Sequence, residues 1–402
     1  HPNVEAMSGL LKNPSVRTLF CGGLCASAAS LFSSVLVQRG EFPFVFILGD
    51  LEEAGYFYHD LTQVLGTDKV LFFPSSFRRA IKYGQKDAAN EILRTEVLSR
   101  LQKGEEGLCV VTYPDALAEK VVSRKELGDK TLKLHSGENV DTNFIMEVLR
   151  SYGFEYVDYV YEPGQYAVRG SIIDVFSFSS EFPYRIDFFG DEVESIRTFE
   201  VETQLSKEKK DSIVIVPDLS RSLEQGGASG MVSFLDFLSA DTVLAMRDLL
   251  GLRERIQTVH DETLTPQAIA AREAEESGCI TLDGKLIDGS EFTLRALDFR
   301  RMEFGNKPTG TPDATITFDT SAQPIFRKNF DMVAESFKEY MEKGYALYIC
   351  SDSMKQTDRI RAIFEDRGDQ IAFTAVERTL HEGFADNALR LCIFTDHQLF
   401  DR

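Results

Sequence analysis

Three features are scarce in this sequence of 402 residues: positive charge, paired cysteines and long apolar runs. Lys and Arg number 44 against 64 Asp and Glu, so the formal net charge is −20. Contacts to phosphate supply most non-specific affinity for DNA, and an acidic chain is therefore poorly suited to strong DNA binding. The densest basic stretch is Lys207–Lys210 (KEKK), which we interpret as a solvated linker.

The cysteines and histidines predict neither a disulfide framework nor a metal site. The six cysteines, at positions 21, 25, 109, 279, 350 and 392, form no Cys-x-x-Cys pair and mostly lie in apolar runs. This pattern favours reduced, buried thiols and a cytoplasmic location. No apolar run approaches the ~20 residues of a membrane helix, and no signal peptide is present, so no membrane partner is expected. Because the chain opens on His1-Pro2 and ends without a clear terminal signal, we expect a piece of a longer protein.

What the sequence does contain is a globular composition and, over residues 1–121, an alternation of strands and helices. Apolar runs at 17–22, 44–48, 70–73 and 108–111 predict buried strands, and 87–102 predicts a long helix. This order is typical of a doubly wound α/β layer. Asp50 with Glu53 predicts a helix N-cap and capping box; the alternative for Asp50 is a ribose-binding role.

The segment from Leu19 to Ala29 has the place of a phosphate loop in such a layer. Counting G-x-x-x-x-G-K-[ST] from Gly22 puts Ser27, Ala28 and Ala29 at the last three positions. The lysine that contacts phosphate and the hydroxyl that binds magnesium are both missing. We therefore predict a degenerate nucleotide loop, comprising Gly22, Gly23, Ser27, Ala28 and Ala29, without catalysis. The runner-up is an active nucleotide hydrolase or a DNA-handling enzyme built on the α/β layers, supported by Gly22-Gly23 and Asp50.

Residues 161–199 carry the densest strand signal and predict an antiparallel meander with a turn at Gly190-Asp191. In the run 184–189 (YRIDFF), period-2 alternation puts Arg185 and Phe189 on a face opposite the apolar one. Arg169 is available on a preceding strand. Arg beside an exposed Phe is typical of protein–protein interfaces. The alternative is that Phe189 belongs to a second core layer and both arginines are solvated.

The sequence of this meander, YEPGQYAVRGSIIDVF followed by PYRIDFFGDEVESIRTF, resembles domain 2 of the bacterial transcription-repair coupling factors. The resemblance implies docking of the excinuclease protein UvrA, with the family's binding residues falling on Arg169, Arg185 and Phe189. It also implies that RNA polymerase and DNA bind parts beyond this chain, where ATP and magnesium serve a motor. No cofactor is expected here. The related excinuclease protein UvrB has a Tyr-rich DNA hairpin for which the short path from Phe72 to Asp87 leaves no room.

The resemblance extends over the chain and implies a degenerate helicase-like (RecA-like) doubly wound α/β domain with an inserted antiparallel, β-rich docking domain and a second small α/β domain. We predict domains at 1–121, 122–205, 206–310 and 311–402. Residues 142–152 predict an amphipathic helix that buries Phe144, Val148 and Leu149. In the third domain we predict strands at 214–216, 242–245 and 279–282 and helices at 231–237 and 265–275. The clearest linker is 306–312 (NKPTGTP).

The leading hypothesis is a non-catalytic module that recruits UvrA. We expect Arg185→Glu or Phe189→Ala to weaken that binding and to leave folding nearly unchanged. Besides the hydrolase, a structural spacer whose Arg/Phe face binds nothing outside the protein is an alternative.

Overall fold

The computed structural model describes residues 1–76, 88–219, 230–263 and 284–400. Within these ranges the chain forms one parallel sheet, one largely antiparallel sheet, one mixed sheet and two short two-stranded ladders. The predicted mixed α/β class is confirmed. The helicase-like relationship and the division into four domains stay predictions.

The strands, numbered along the chain, fall into three consecutive groups. The first group is β1 (Thr18–Gly22), β2 (Phe44–Ile47), β3 (Val70–Phe72), β4 (Cys109–Thr112), β5 (Val121–Val122) and β6 (Leu132–His135). The second is β7 (Glu155–Tyr156), β8 (Gln165–Arg169), β9 (Ile172–Val175), β10 (Tyr184–Phe189), β11 (Glu192–Phe199), β12 (Ser206–Lys210), β13 (Ser212–Ile215) and β14 (Met231–Val232). The third is β15 (Val243–Met246), β16 (Arg300–Gly305), β17 (Ala314–Thr317), β18 (Thr320–Ala322), β19 (Ala346–Cys350), β20 (Thr374–Val376), β21 (Phe384–Asp386) and β22 (Leu391–Thr395).

The α-helices of the described residues are numbered in the same way. They are α1 (Pro2–Lys12), α2 (Ala28–Arg39), α3 (Leu51–Leu65), α4 (Ala88–Lys103), α5 (Pro114–Ala118), α6 (Arg124–Asp129), α7 (Thr142–Ser151), α8 (Leu249–Thr263), α9 (Gly289–Ala296), α10 (Phe330–Glu342), α11 (Met354–Asp366) and α12 (Asp396–Phe400). None of them is long and apolar enough to cross a membrane.

The parallel sheet has seven strands in the order β17-β1-β16-β15-β2-β4-β3. β2, β4 and β15 are buried at every position, because helices cover both faces of a parallel sheet and select continuous apolar runs. The strand predicted at 242–245 is thereby confirmed as β15. Segment 306–313 joins β16 to β17, which flank β1 on either side. This predicted linker therefore connects two strands of one sheet, and β17 belongs to that sheet.

The predicted N-cap of α3 is confirmed. The Asp50 side chain accepts a hydrogen bond from the Glu53 amide at 2.9 Å. The Glu53 carboxylate accepts from the Gly49 amide at 3.2 Å, so its return bond goes one residue before the cap.

The second sheet has six strands in the order β12-β11-β10-β9-β8-β7. β8 to β11 form the predicted antiparallel meander, and β12 adds a further antiparallel strand at its edge. Its inner face packs on α7 through a buried cluster that includes Ile145, Leu149, Ile173 and Ile186. The opposite side is called the outer face below. The helix at 142–152 is confirmed, but its apolar stripe differs from the prediction, because Phe144 is 53% exposed.

The basic stretch at 207–210 was wrongly interpreted as a linker. It lies in β12, an exposed edge strand paired with β11. Lysines are common on edge strands because their charge opposes pairing with another chain. β13 then pairs with β6 and extends the core of this unit to Ile215.

The third sheet has five strands in the order β18-β21-β22-β19-β20. α10 and α11 contribute Val333, Phe337, Ile360 and Phe364 to its core. This sheet and its helices are called the last unit below.

The helix expected at 231–237 is wrong: β14 pairs with β5 there, and a 3-10 turn at Phe234–Phe237 follows. The helix at 265–275, the strand at 279–282 and the path from 77 to 87 lie outside the described residues.

The described cysteines are free, and all of them except Cys25 are buried. Burial raises the pKa of Cys21 to about 12 and that of Cys350 to about 11. The prediction of buried thiols is confirmed for Cys21, Cys109, Cys350 and Cys392, while position 279 is not described.

Candidate functional site

The outer face of the meander carries the three side chains that alternation selected. On β10, Ile186 and Phe188 are buried in the inner core, whereas Arg185 and Phe189 point to the outer face. The pairing of β10 with β11 shifts register between Asp187 and Phe188. β10 itself keeps its alternation through that shift, since Phe188 is buried and Phe189 is exposed.

Arg169 and Arg185 meet on one buried carboxylate, that of Asp174. Asp174 lies on β9 and is 1% exposed. Arg185 donates to it through Nε at 2.8 Å and Nη2 at 2.9 Å, and Arg169 donates through Nη2. This fork geometry is the strong, bidentate form of the Arg–carboxylate pair. The hydrogen bond to Asp174 raises the pKa of the Arg185 guanidinium.

The two arginines differ in how much of each is available to a partner. The Arg185 side chain is 14% exposed, lies over the Phe199 ring at 4.3 Å and also donates to the Gln204 carbonyl at 3.1 Å. The Arg169 side chain is 36% exposed and, within the described residues, donates only to Asp174. The structure therefore argues against the expectation that Arg185 can be replaced without affecting folding.

Strand order explains why Asp174 was missed. β9 lies between the strands that carry Arg169 and Arg185. Asp174 faces both Ala167 and Arg185 in register. The signal in the sequence was a single carboxylate in an apolar run, flanked by Ile173 and Val175. A charge that deep requires partners, and two arginines were near in sequence.

Phe189 is the most exposed large apolar side chain of the described residues, at 77%. The alternative of a second core layer is wrong for this residue. It lies where β10 ends, next to the two-residue turn Gly190-Asp191, and opposite Glu192. A further ion pair, between Arg197 and Asp187, lies on the same face. The face thus combines an unburied aromatic ring with three arginines and two carboxylates.

The segment predicted to be a degenerate nucleotide loop lies at the end of β1 and contacts the chain between β17 and β18. Gly23 has φ of +78°, and a Cβ there would lie 1.9 Å from the Phe318 carbonyl oxygen. The Phe318 amide donates to the Gly22 carbonyl at 2.8 Å. The Thr320 hydroxyl donates to the Gly23 carbonyl at 2.6 Å and accepts from the Cys25 amide at 3.1 Å. The main-chain groups of Gly22, Gly23 and Cys25 are therefore engaged in hydrogen bonds within the chain.

The last three loop positions are also occupied by internal contacts. The Ser27 hydroxyl accepts from the Glu382 amide at 3.0 Å, and the Ser27 amide donates to the Glu382 carbonyl at 3.4 Å. Ala28, at the position of the lysine in an active loop, is 0% exposed and Ala29 is 9% exposed. A lysine side chain at position 28 would therefore extend from a residue that is buried.

A cavity of about 530 Å³ adjoins this loop, and its lining is acidic. Five carboxylates line it: Asp50, Glu52, Glu53, Asp60 and Glu382. Among the described lining residues, the positive charge comes from Arg247. This charge opposes a nucleotide triphosphate by Coulomb repulsion. Across the cavity, the His381 ring stacks on Tyr56 with centroids 3.4 Å apart. Its amide donates to Asp60 at 2.6 Å. Among the described residues, no cluster of His, Cys, Asp or Glu is arranged to hold a metal ion.

Comparison with known proteins finds relatives for the segment that contains the meander. Residues 132–220 match the family model of the UvrB interaction domain. The chain is 28% identical over 198 residues to the transcription-repair-coupling factor of Escherichia coli (strain K12), covering 49% of this chain and 17% of that protein. With the factor of Bacillus subtilis (strain 168) it is 30% identical over 229 residues, 54% of this chain and 19% of the relative.

A third relative aligns with almost the whole chain. The transcription-repair-coupling factor of Staphylococcus aureus (strain bovine RF122 / ET3-1) is 21% identical over 445 residues, which cover 94% of this chain and 38% of that protein. The resemblance predicted from the sequence is confirmed. The chain spans less than two fifths of the length of these relatives.

Proposed function

We propose, from the likeness of this chain to transcription-repair coupling factors, that it recruits the excinuclease protein UvrA to stalled RNA polymerase for nucleotide excision repair. The observation that carries this proposal is the outer face. Inside the segment that matches the UvrB interaction domain, Phe189 is 77% exposed on the same face as an arginine pair that is fixed on Asp174. Exposed aromatic and arginine side chains supply most of the energy of protein interfaces.

In this proposal the three docking residues have different tasks. Phe189 inserts into an apolar pocket of the partner. Arg169 uses its outward N–H groups to bond a partner carboxylate, because one donor suffices to hold it on Asp174. Arg185 is a positioning residue, since most of its donors are used by Asp174 and Gln204. The partner surface is therefore acidic with an apolar recess.

We further propose that this chain hydrolyses no nucleotide and binds DNA weakly. Three features support the absence of hydrolysis: the Phe318 carbonyl fills the space beside Gly23, Ala28 is buried, and the adjoining cavity is acidic. The net charge of −20 supports weak DNA binding. In the full-length factor, ATP, magnesium, RNA polymerase and DNA would bind other parts.

The test is titration of UvrA from the same organism with this chain, measured calorimetrically. Phe189→Ala is expected to weaken binding by about 2 kcal/mol, roughly 30-fold, as hot-spot residues do. Thermal melting should not change, because an exposed ring leaves no cavity. Ile325→Ala is the matched control, since Ile325 is 76% exposed in the last unit. Equal affinity of the Phe189 variant and the unsubstituted chain would contradict the proposal.

A further inference from the structure

Tyr159 lies beside the docking residues, in the segment that joins β7 to β8. Its neighbour Val160 is fully buried, in a small cluster with Ala167, Phe176 and Phe199 on the outer face. This anchor holds the segment against the sheet, while the Tyr159 ring stays 50% exposed. The ring is therefore held in place by its backbone and open to the surroundings.

The Tyr159 ring supports Arg169. The guanidinium carbon of Arg169 lies 5.1 Å from the centre of the ring, within the range of a cation–π contact. The same guanidinium bonds the Asp174 carboxylate. Arg169 is thus fixed by a ring and a carboxylate, and its remaining N–H groups stay available. Fixing a side chain before binding lowers the entropy cost of the interface.

The two other exposed tyrosines of this region differ from Tyr159. Tyr156 is 59% exposed and packs its ring edge against Tyr166 at 5.4 Å. Tyr161 is 56% exposed and, among the described residues, its ring makes no aromatic or cation–π contact. Exposure alone therefore does not single out Tyr159, but its contact with Arg169 does.

We infer that Tyr159 belongs to the docking face, where it holds Arg169 in position and contacts the partner with its free ring face. This inference rests on the proposed function and extends it by one residue. It also defines the matching partner surface: a carboxylate for Arg169 next to an apolar or aromatic side chain for Tyr159. The docking face then has two aromatic contacts, Phe189 and Tyr159, with Arg169 as a third contact.

The test uses the whole chain and purified UvrA, with dissociation constants from calorimetry. Tyr159→Ala is expected to raise Kd at least about tenfold, while Tyr159→Phe, which keeps the ring, stays within about threefold. Tyr159→Leu keeps apolar volume without a ring and should resemble the alanine variant. Tyr161→Ala is the matched control and should leave Kd within about twofold. Circular dichroism melting checks that each variant folds.

The double variant Tyr159→Ala/Arg169→Ala tests how the ring acts. Because the ring positions Arg169, the double variant should lose less affinity than the sum of the two single losses. Strictly additive losses would overturn the positioning role. An unchanged Kd for Tyr159→Ala, in a chain whose Phe189 variant binds weakly, would overturn the inference and leave the proposed function standing. If the unsubstituted chain does not bind, both are wrong.

Discussion

Replacing Arg185 with alanine separates its structural role from its role in binding. The substitution removes two of the three hydrogen bonds that arginines make to Asp174, and it uncovers the Phe199 ring. Asp174 is 1% exposed, so water does not readily replace the lost donors. Within the described part of the chain, Arg169 then remains as the ion-pair partner of Asp174. We therefore expect the substitution to favour local unfolding of β9 and β10 in the free chain, without any partner.

The magnitude follows from the burial of this pair. Removing one partner of a buried ion pair costs about 3–5 kcal/mol, because the other charge is left behind. Since Asp174 keeps Arg169, the lower end applies, about 3 kcal/mol. This corresponds to an increase of roughly a hundredfold in local opening. Arg361→Ala is the control, because Arg361 and Asp358 form a surface pair with 42% and 68% exposure, which is worth at most about 1 kcal/mol.

Native-state hydrogen exchange, followed by mass spectrometry, is the suitable assay. A chain with several separate cores need not unfold in one step, so a single free energy of unfolding is not well defined. Exchange reports the opening of β9 and β10 directly. If protection there is the same in Arg185→Ala, Arg361→Ala and the unsubstituted chain, then Asp174 does not depend on Arg185, and the reasoning is refuted.

Two further predictions concern the loop at Gly23 and the residues around the adjoining cavity. Gly23→Ala should lower the free energy of local opening around residues 22–25, followed by the same hydrogen exchange, by well over the ~1–2 kcal/mol of a left-handed alanine, because its Cβ would overlap the Phe318 carbonyl. Gly104→Ala, with φ of +68° and open space around the added Cβ, is the control. Burial lowers the pKa of His381 below its usual 6.5. The folded state therefore prefers the neutral ring. The contribution of the neutral ring to stability is complete above pH 6.5 and is lost as the pH falls through the pKa of the folded state. Exchange protection of residues 381–386, corrected for intrinsic rates, should fall with acidification, and His381→Phe, which keeps an aromatic ring against Tyr56, should abolish that fall. The groups around the ring are Asp60, Glu382, His397 and His59, and a pH response that persists in the phenylalanine variant would assign the effect to one of them.

Two local patterns in the sequence predicted the structure correctly. Alternation in β10 placed Phe189 and Arg185 on one face, and the Asp50 side chain caps α3 as expected. Both features depend on residues a few positions apart. Pairings that depend on strand order were not accessible in this way. The strand at Lys207–Lys210 needs β11 beside it, and the shared carboxylate Asp174 needs β9 between β8 and β10.

The loop at Gly23 shows the same limit over a longer range. The absence of a lysine was visible in the sequence. The residues that bond to the loop, Phe318, Thr320 and Glu382, were not. No spacing rule connects segments that far apart in the chain. Exposure of Phe144 was missed for a related reason: a helix periodicity indicates an apolar stripe, and packing decides which residue at its edge stays outside.

The contacts of the loop at Gly23 limit what a single substitution could do there. A lysine at position 28 would not be enough to create a phosphate site, because the Phe318 carbonyl, just after β17, fills the space beside Gly23, and Thr320 and Glu382 of the last unit bond to Gly23, Cys25 and Ser27. A variant designed to bind nucleotide would therefore have to break these hydrogen bonds as well, and would lose the stability that they give to the contact between the loop and the last unit. The loop thus serves this chain as a structural contact.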